Sequence, residues 1–353
     1  MQYMPNTTYK FLDEYPSPSA VRSTFTVVVE CICCMACVMN ILLFLVFSYR
    51  PLKTRSYNYF FILSIIQNLV SAITFFLIAP QAITFNYVFL LISTGRGGEW
   101  MIGPFVMLLY SMTFVSSMIF VTNNFIHKYF QLCRPLSLNI YASSKWLLLI
   151  TLINIAIVVN WIAMNVYSGW PSKEFVRSIR DIVIEHQQFD ISDATFMGIS
   201  ITYDLTTSRF ILLVEALVLV LAIGCVGLSF AMYIHIHLAH VKMMSTQTRR
   251  SHQQLLMVLL LQTACPIVLL HIPLYTMYGL LFTGATSPHW LGITIGILMA
   301  LFPLTSPLIS LTFIKDYRKF ILTLFTMNCK NVGMSSSSPT TRTIRVKSIP
   351  TQK

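Results

Sequence analysis

Charge is what this sequence has least of. Only 10% of its 353 residues are Asp, Glu, Lys or Arg, and just 12 of them are acids. A water-facing globular surface carries about 25% charge, so a soluble globular chain is excluded. Hydrophobic residues make up 56% and the mean hydropathy is +0.70. Disorder needs low hydrophobicity, so a disordered chain is excluded too. Catalytic signatures are also missing: the chain holds no HExxH, no GxSxG and no phosphate-cradling GK[ST] loop. Gly95-Arg96-Gly97-Gly98 reads as a turn. From these residues we expect no enzyme, no cofactor and no metal site. Cys31, Cys33, Cys34 and Cys37 have a metal-like spacing, but on an apolar helix they point around more than half the circumference and read as packing residues.

What the chain does have is long apolar runs. Seven stand out, roughly 27–47, 59–80, 103–126, 146–167, 210–234, 255–278 and 291–314, each 21 to 25 residues long. About 20 apolar residues cross a hydrocarbon core of about 30 Å. In lipid every backbone N–H and C=O must be paired within the segment, so each run is expected to be a helix. The expected fold is an all-α membrane protein, a seven-transmembrane helix bundle. Apolar character continues past Pro80, and we read Gln81–Ser93 as an outer helical extension or interfacial segment. After the seventh span, 315–325 mixes basic and aromatic residues and reads as a short amphipathic helix on the inner leaflet. The tail 326–353 reads as basic and disordered.

Orientation follows from where the charges fall. The segments 48–58, 127–145, 235–254 and 315–353 hold 17 of the 24 Lys and Arg but one acid, Asp316. The alternate segments hold seven basic residues and nine acids. Basic loops face the cytoplasm, so the N-terminus is expected outside and the tail inside. The net charge of +12 then needs no nucleic acid as a partner. The first 26 residues contain Pro5, Pro16 and Pro18 and no apolar run, so no cleavable signal peptide is expected there. Asn6-Thr7-Thr8 is a glycosylation sequon on the outer side. None of the eight cysteines lies in an outer segment, which argues against an extracellular disulfide. Cys329, just past the amphipathic stretch, is a candidate for palmitoylation.

Polar groups inside a span are costly and are therefore candidates for function. Glu215, near the outer start of the fifth run, reads either as a hydrogen-bonding group in an outward-opening cavity or as a carboxylate reaching the headgroups. His271 reads either as a ligand contact or as an interhelical histidine, between Pro266 and Pro273. Those two prolines, and Pro303 and Pro307 in the last run, are candidate hinges, since each removes a helical hydrogen bond. Gln67, Asn68, Asn154, Asn160 and Asn165 read as groups that bond between helices.

Three stretches carry a family likeness. Phe125 through Pro135 (FIHKYFQLCRP), Thr246 through Pro266, and Pro303 through Arg318 (PLTSPLISLTFIKDYR) resemble, in order and spacing, the nematode seven-transmembrane chemoreceptors of the Str/Srj group. Asn40 and the loop 49–58 also fit. The resemblance implies a G-protein-coupled olfactory-type receptor for a small environmental chemical, an odorant or similar cue, in the plasma membrane of sensory-neuron cilia. It implies a heterotrimeric G protein as partner. Ligand contacts are then expected at Tyr110, Glu215, His271 and Tyr275, and a G-protein-facing surface at His127, Lys128, Arg134, Lys242, Arg249 and Arg250. The chain departs from the broader rhodopsin-like pattern. His127-Lys128-Tyr129 stands where an acid-Arg-Tyr would, and Asn-Pro-x-x-Tyr is absent. The alternative is a ligand-gated channel or small-molecule transporter. An insect-type channel would have its N-terminus inside, against the charge pattern, and a transporter should show internal repeats, which the chain lacks.

Overall fold

The computed structural model describes residues 24–49, 55–99, 101–141, 143–187, 190–192, 194–202, 206–240, 261, 264–313 and 317–319. Asn6, Lys242, Arg249, Arg250, Cys329 and most of 315–325 lie outside the described residues. Among the described residues, seven helices are long and apolar enough to cross a membrane. They are α1 (Thr24–Tyr49), α2 (Arg55–Ile78), α3 (Gly103–Cys133), α5 (Ser144–Gly169), α7 (Thr207–His240), α8 (Ala264–Thr283) and α9 (His289–Phe313). Two shorter helices join them, α4 (Pro135–Tyr141) and α6 (Lys173–Gln187). Apolar side chains cover the outside as well as the inside; Leu148, Leu152, Ile155 and Val159 of α5 are all exposed. A bundle apolar on both sides needs lipid around it.

α3 runs through the middle and packs on α2, α5 and α7, while α1 packs on α2 and α9. The central core joins Phe114, Val115 and Met118 of α3 to Trp161 of α5, Val220 of α7, Leu270 of α8 and Phe302 of α9. α9 carries Pro303 and Pro307 inside the helix. Proline has no N–H, so the Pro303 carbonyl, which would accept from residue 307, has no helical donor. Asn40 of α1 is fully buried and supplies one: its Nδ2 donates to the Pro303 carbonyl at 2.9 Å and to the Ala36 carbonyl at 2.8 Å.

The stretch after Pro80 departs from expectation. It is not a helical extension but a hairpin, β1 (Pro80–Phe85) and β2 (Val88–Ser93), joined by β3 (Phe196–Ser200) into an antiparallel sheet of order β1-β2-β3. The physical reason is the two-residue turn Asn86-Tyr87, with both φ values positive, at 42° and 63°. Such a turn matches the twist of paired strands. Six residues per strand also suit a hairpin better than a second crossing. α2 ends at Ile78 because Ala79 turns to φ 40° before Pro80. The freed Ile78 carbonyl accepts from the Gly95 N–H at 2.9 Å and the Ser93 hydroxyl at 3.0 Å. A side chain at Gly95 would collide with the Leu77 carbonyl, so the turn there requires glycine.

The sheet is buried on both faces. Ile83, Phe85, Val88, Leu90, Ile92 and Phe196 face the amphipathic helix α6 through Phe175, Ile179 and Val183. Ala82, Phe89 and Leu91 face the bundle through Met277 and Ile295. The β1 edge is tied as well: the Ser287 N–H donates to the Thr84 carbonyl at 2.8 Å. The β2–β3 ladder runs one pair further, the Ile201 N–H donating to the Tyr87 carbonyl at 2.9 Å. Beyond α6, Arg180 forms a two-toothed ion pair with Asp190. Burial pushes the Asp190 carboxyl up, but hydrogen bonds from Arg180 and Ser192 outweigh it and hold the pKa below its usual value.

Two predictions follow from these contacts. Replacing Asn40 by Ala leaves the Pro303 carbonyl without its donor and should cost about 1–3 kcal/mol. Asn40→Asp should cost more, because it sets an oxygen against two carbonyls; thermal unfolding in detergent orders the three proteins. The second concerns pH. With Asp190 depressed in the folded state, the Arg180–Asp190 tether is in force above the unfolded carboxylate range and is lost as pH falls through the folded value. Hydrogen-exchange protection in α6, taken relative to the intrinsic exchange rate at each pH, should therefore fall on acidification in the wild type, and Asp190→Asn should abolish that loss.

Candidate ligand cavity and opposite crevice

Beneath the sheet lies a cavity of about 150 Å³. Its roof is Ala82, Phe89, Leu91, Met197 and Ile199 of the three strands. Its walls come from α3 (Tyr110, Ser111, Phe114), α5 (Trp161, Met164, Asn165, Ser168), α7 (Leu212, Leu213, Ala216), α8 (Pro273, Met277, Tyr278) and α9 (Ile295, Met299). The lining is predominantly apolar, and among the described residues no charged side chain belongs to it. Some of its polar groups are held by neighbours. The Trp161 indole N–H donates to the Ser111 carbonyl at 3.1 Å and hydroxyl at 2.9 Å, and Asn165 Nδ2 donates to the Trp161 carbonyl at 2.7 Å. The Tyr110 ring meets Phe75 edge-on at 4.8 Å. This is the form of a small-molecule site, concave and apolar with sparse polar groups.

Of the residues singled out as ligand contacts, Tyr110 lines this cavity and the other three do not. Glu215 sits on the exterior, where its Oε1 accepts from Asn160 Nδ2 of α5 at 2.9 Å. The carboxylate thereby ties two neighbouring helices together. His271 is buried in a widened π turn, Ile267–His271, within α8. Its Nδ1 lies 3.1 Å from the Pro266 carbonyl, which can only accept, so the ring proton sits on Nδ1. Gly224 of α7 makes room for the ring, since a Cβ there would lie 3.1 Å from it. Tyr275 lies beside His271, the two rings tilted by 55° with centroids 6.0 Å apart. The π turn also answers Pro273, whose ring would press on the preceding turn of a regular helix.

Residues that line the cavity without having been expected include Trp161, Asn165, Ser168, Met197 and Tyr278. A tryptophan within an otherwise aliphatic run was the available signal for Trp161, since its N–H must find a partner. Met197 carried no such signal, because it reaches the cavity from a strand inside a loop.

A second, more polar cavity of about 60 Å³ lies at the opposite end of the bundle. It is lined by Gln67 and Asn68 of α2, Ser117, Asn124 and Lys128 of α3, Cys265 and Pro266 of α8, and Thr305, Ser306 and Ser310 of α9. Gln67 Nε2 bonds across to the Thr113 carbonyl at 2.9 Å and the Ser116 hydroxyl at 2.6 Å. α3 continues past Ile126 to Cys133, so His127 and Lys128 lie on the helix and are buried, while Arg134 beyond it is exposed. Nearby, Tyr317 is fully buried against Leu43, Phe47, Phe61 and Leu311, which pins the segment after α9 to α1 and α2. Cys33 is buried while Cys31 and Cys34 are exposed, so the cysteine run of α1 spreads over different faces.

Among the described residues, seven apolar helices, five of which wall a largely apolar cavity, define an integral membrane protein of the seven-helix receptor class. The chain belongs to the family of serpentine type 7TM GPCR chemoreceptors Str, whose match covers residues 25–322. This is a receptor family, and membership implies chemical ligands and G-protein coupling in general. No curated protein matches the chain.

Proposed function

We propose that this protein is a chemosensory receptor of the plasma membrane, in sensory-neuron cilia, that binds a small odorant-like molecule beneath the sheet and activates a heterotrimeric G protein at the opposite end. The apolar cavity under the sheet is the observation that carries the reading. The charge pattern supports an extracellular N-terminus, with glycosylation at Asn6, and a cytoplasmic tail, with palmitoylation at Cys329. The sheet and α6 then face outward.

α8 connects the two ends physically. Pro273 and Met277 touch the larger cavity, and Cys265 and Pro266 touch the smaller one. Between them run the π turn and two prolines, which weaken the helical hydrogen-bond ladder. A ligand that fits one packing of α8 better than another shifts the population toward it. Pro266 and Pro273, with Pro303 and Pro307 of α9, are the hinges of that shift. Lys128 would meet the G protein once the smaller cavity opens; Arg134, Lys242, Arg249 and Arg250 would line the same surface, with His127 behind it. Tyr110 is the ligand contact retained from the sequence, whereas Glu215, His271 and Tyr275 act from outside the cavity on how α5, α7 and α8 pack.

A cell-based G-protein assay against a panel of small volatile compounds tests the reading. Ala216 is buried and lines the cavity, so Ala216→Trp should lower the response to every compound the wild type detects by more than about tenfold, at unchanged surface level. A response that survives Ala216→Trp removes the cavity from the mechanism. In microsomes, Asn6 should be glycosylated and a sequon engineered into 127–145 should not; the reverse pattern overturns the orientation.

A further inference from the structure

We propose that Ser168 is a specificity-determining residue: with Asn165 it forms the polar end of the cavity and selects compact, uncharged ligands that carry a hydrogen-bonding oxygen. The proposal rests on the receptor reading above and names the ligand class of that same site.

Three observations carry it. Ser168 lines the cavity, is 9% exposed, and its hydroxyl has no hydrogen-bond partner among the described residues. A helical hydroxyl usually donates to the carbonyl four residues back, as Thr151 does to Leu147 and Ser229 to Cys225, both at 2.8 Å. Ser168 does not, so a buried donor and acceptor is left over, a destabilising arrangement that a ligand oxygen would relieve.

The second observation is that the neighbouring polar groups are already committed. Trp161 Nε1 is used by Ser111, and Asn165 Nδ2 by the Trp161 carbonyl. That leaves the Ser168 hydroxyl and Asn165 Oδ1, from residues three apart on one face of α5. Tyr110 and Tyr278 bring two phenols to the lining as well, and the rest of the wall is mainly aliphatic, aromatic and thioether. One hydrogen-bonding group on the ligand matches the Ser168–Asn165 end.

The third is size and charge. A cavity of about 150 Å³ is on the scale of one benzene ring. With no charged side chain in the lining among the described residues, an ion would lose its hydration without compensation. Arg209 lines a separate recess of about 10 Å³ beyond Ser168, with Ser172 and Ser200, so a carboxylate belongs among the probes.

The test uses the full chain in lipid nanodiscs and four compounds of one shape: toluene, benzaldehyde, benzyl alcohol and benzoate. Binding is read as thermal stabilisation at matched membrane concentration. We expect benzaldehyde and benzyl alcohol to bind more tightly than toluene, and benzoate not to bind. Ser168→Ala should weaken the two oxygenated compounds by about three- to tenfold and leave toluene within about twofold. Ser168→Thr, which keeps the hydroxyl, should keep the preference. Without ligand, Ser168→Ala should melt no lower than the wild type, which separates lost recognition from lost folding. An unchanged alcohol-to-toluene ratio in Ser168→Ala, tightest binding by benzoate, or binding by none of the four overturns the proposal. Nucleotide exchange on an added G protein scores the receptor reading separately. Ser168-dependent binding without exchange would leave the ligand class standing and remove the coupling; exchange driven by benzoate alone would do the opposite.

Discussion

The bond from Asn40 to the Pro303 carbonyl is the contact on which the packing of α1, α2 and α9 rests. Pro307 strips the helical donor from the Pro303 carbonyl four residues back. In hydrocarbon such a group must be paired, and here a side chain from a neighbouring helix pairs it. That requirement brings α1 hard against α9, the most extensive helix pairing in the bundle. With α1 and α9 fixed, Leu43, Phe47 and Phe61 form the socket that receives Tyr317. The same helices leave Ile295 and Met299 at the base of the larger cavity.

The two ends of the bundle are finished by different physics. At the sheet end, backbone pairing does the work: three strands, tied along the β1 edge, roof a cavity walled by five helices. The roof is itself covered by α6, so neither face of the sheet meets solvent freely. The opposite end is held by side chains instead. Gln67 bridges α2 to α3, and hydroxyls of α3 and α9 share a small cavity with Lys128. α8 spans both regions, and its π turn concentrates the irregular backbone midway between them.

Hydropathy made the seven helices legible, because a run of more than 20 apolar residues has one stable form in lipid. It misled at 81–93. Strands buried on both faces lose the alternation that marks a strand and read as continuous apolar sequence. The Asn86-Tyr87 turn was the clue, but its second residue is Tyr rather than the usual Gly, and its left-handed conformation is sustained by the packing of the finished turn. α6 was legible in principle: Phe175, Ile179 and Val183 recur at four-residue spacing between charged residues.

The candidate site divides along the same line. Composition and span order were enough for the membrane, the helix count and the family, since these depend on local hydrophobicity and short motifs. Which polar residue faces the cavity depends on helix rotation, and an all-round apolar helix gives no stripe from which to read rotation. Glu215, chosen for its cost in lipid, is turned outward to Asn160, and His271 is turned toward Gly224. Ser168 and Asn165, unremarkable in a run of similar residues, are turned inward by the packing of α5 on α3 and on β3. Hydrophobicity along the chain settles what crosses the membrane; the azimuth of each helix, and with it the site, is settled by side chains fitting between neighbours that are far apart in sequence.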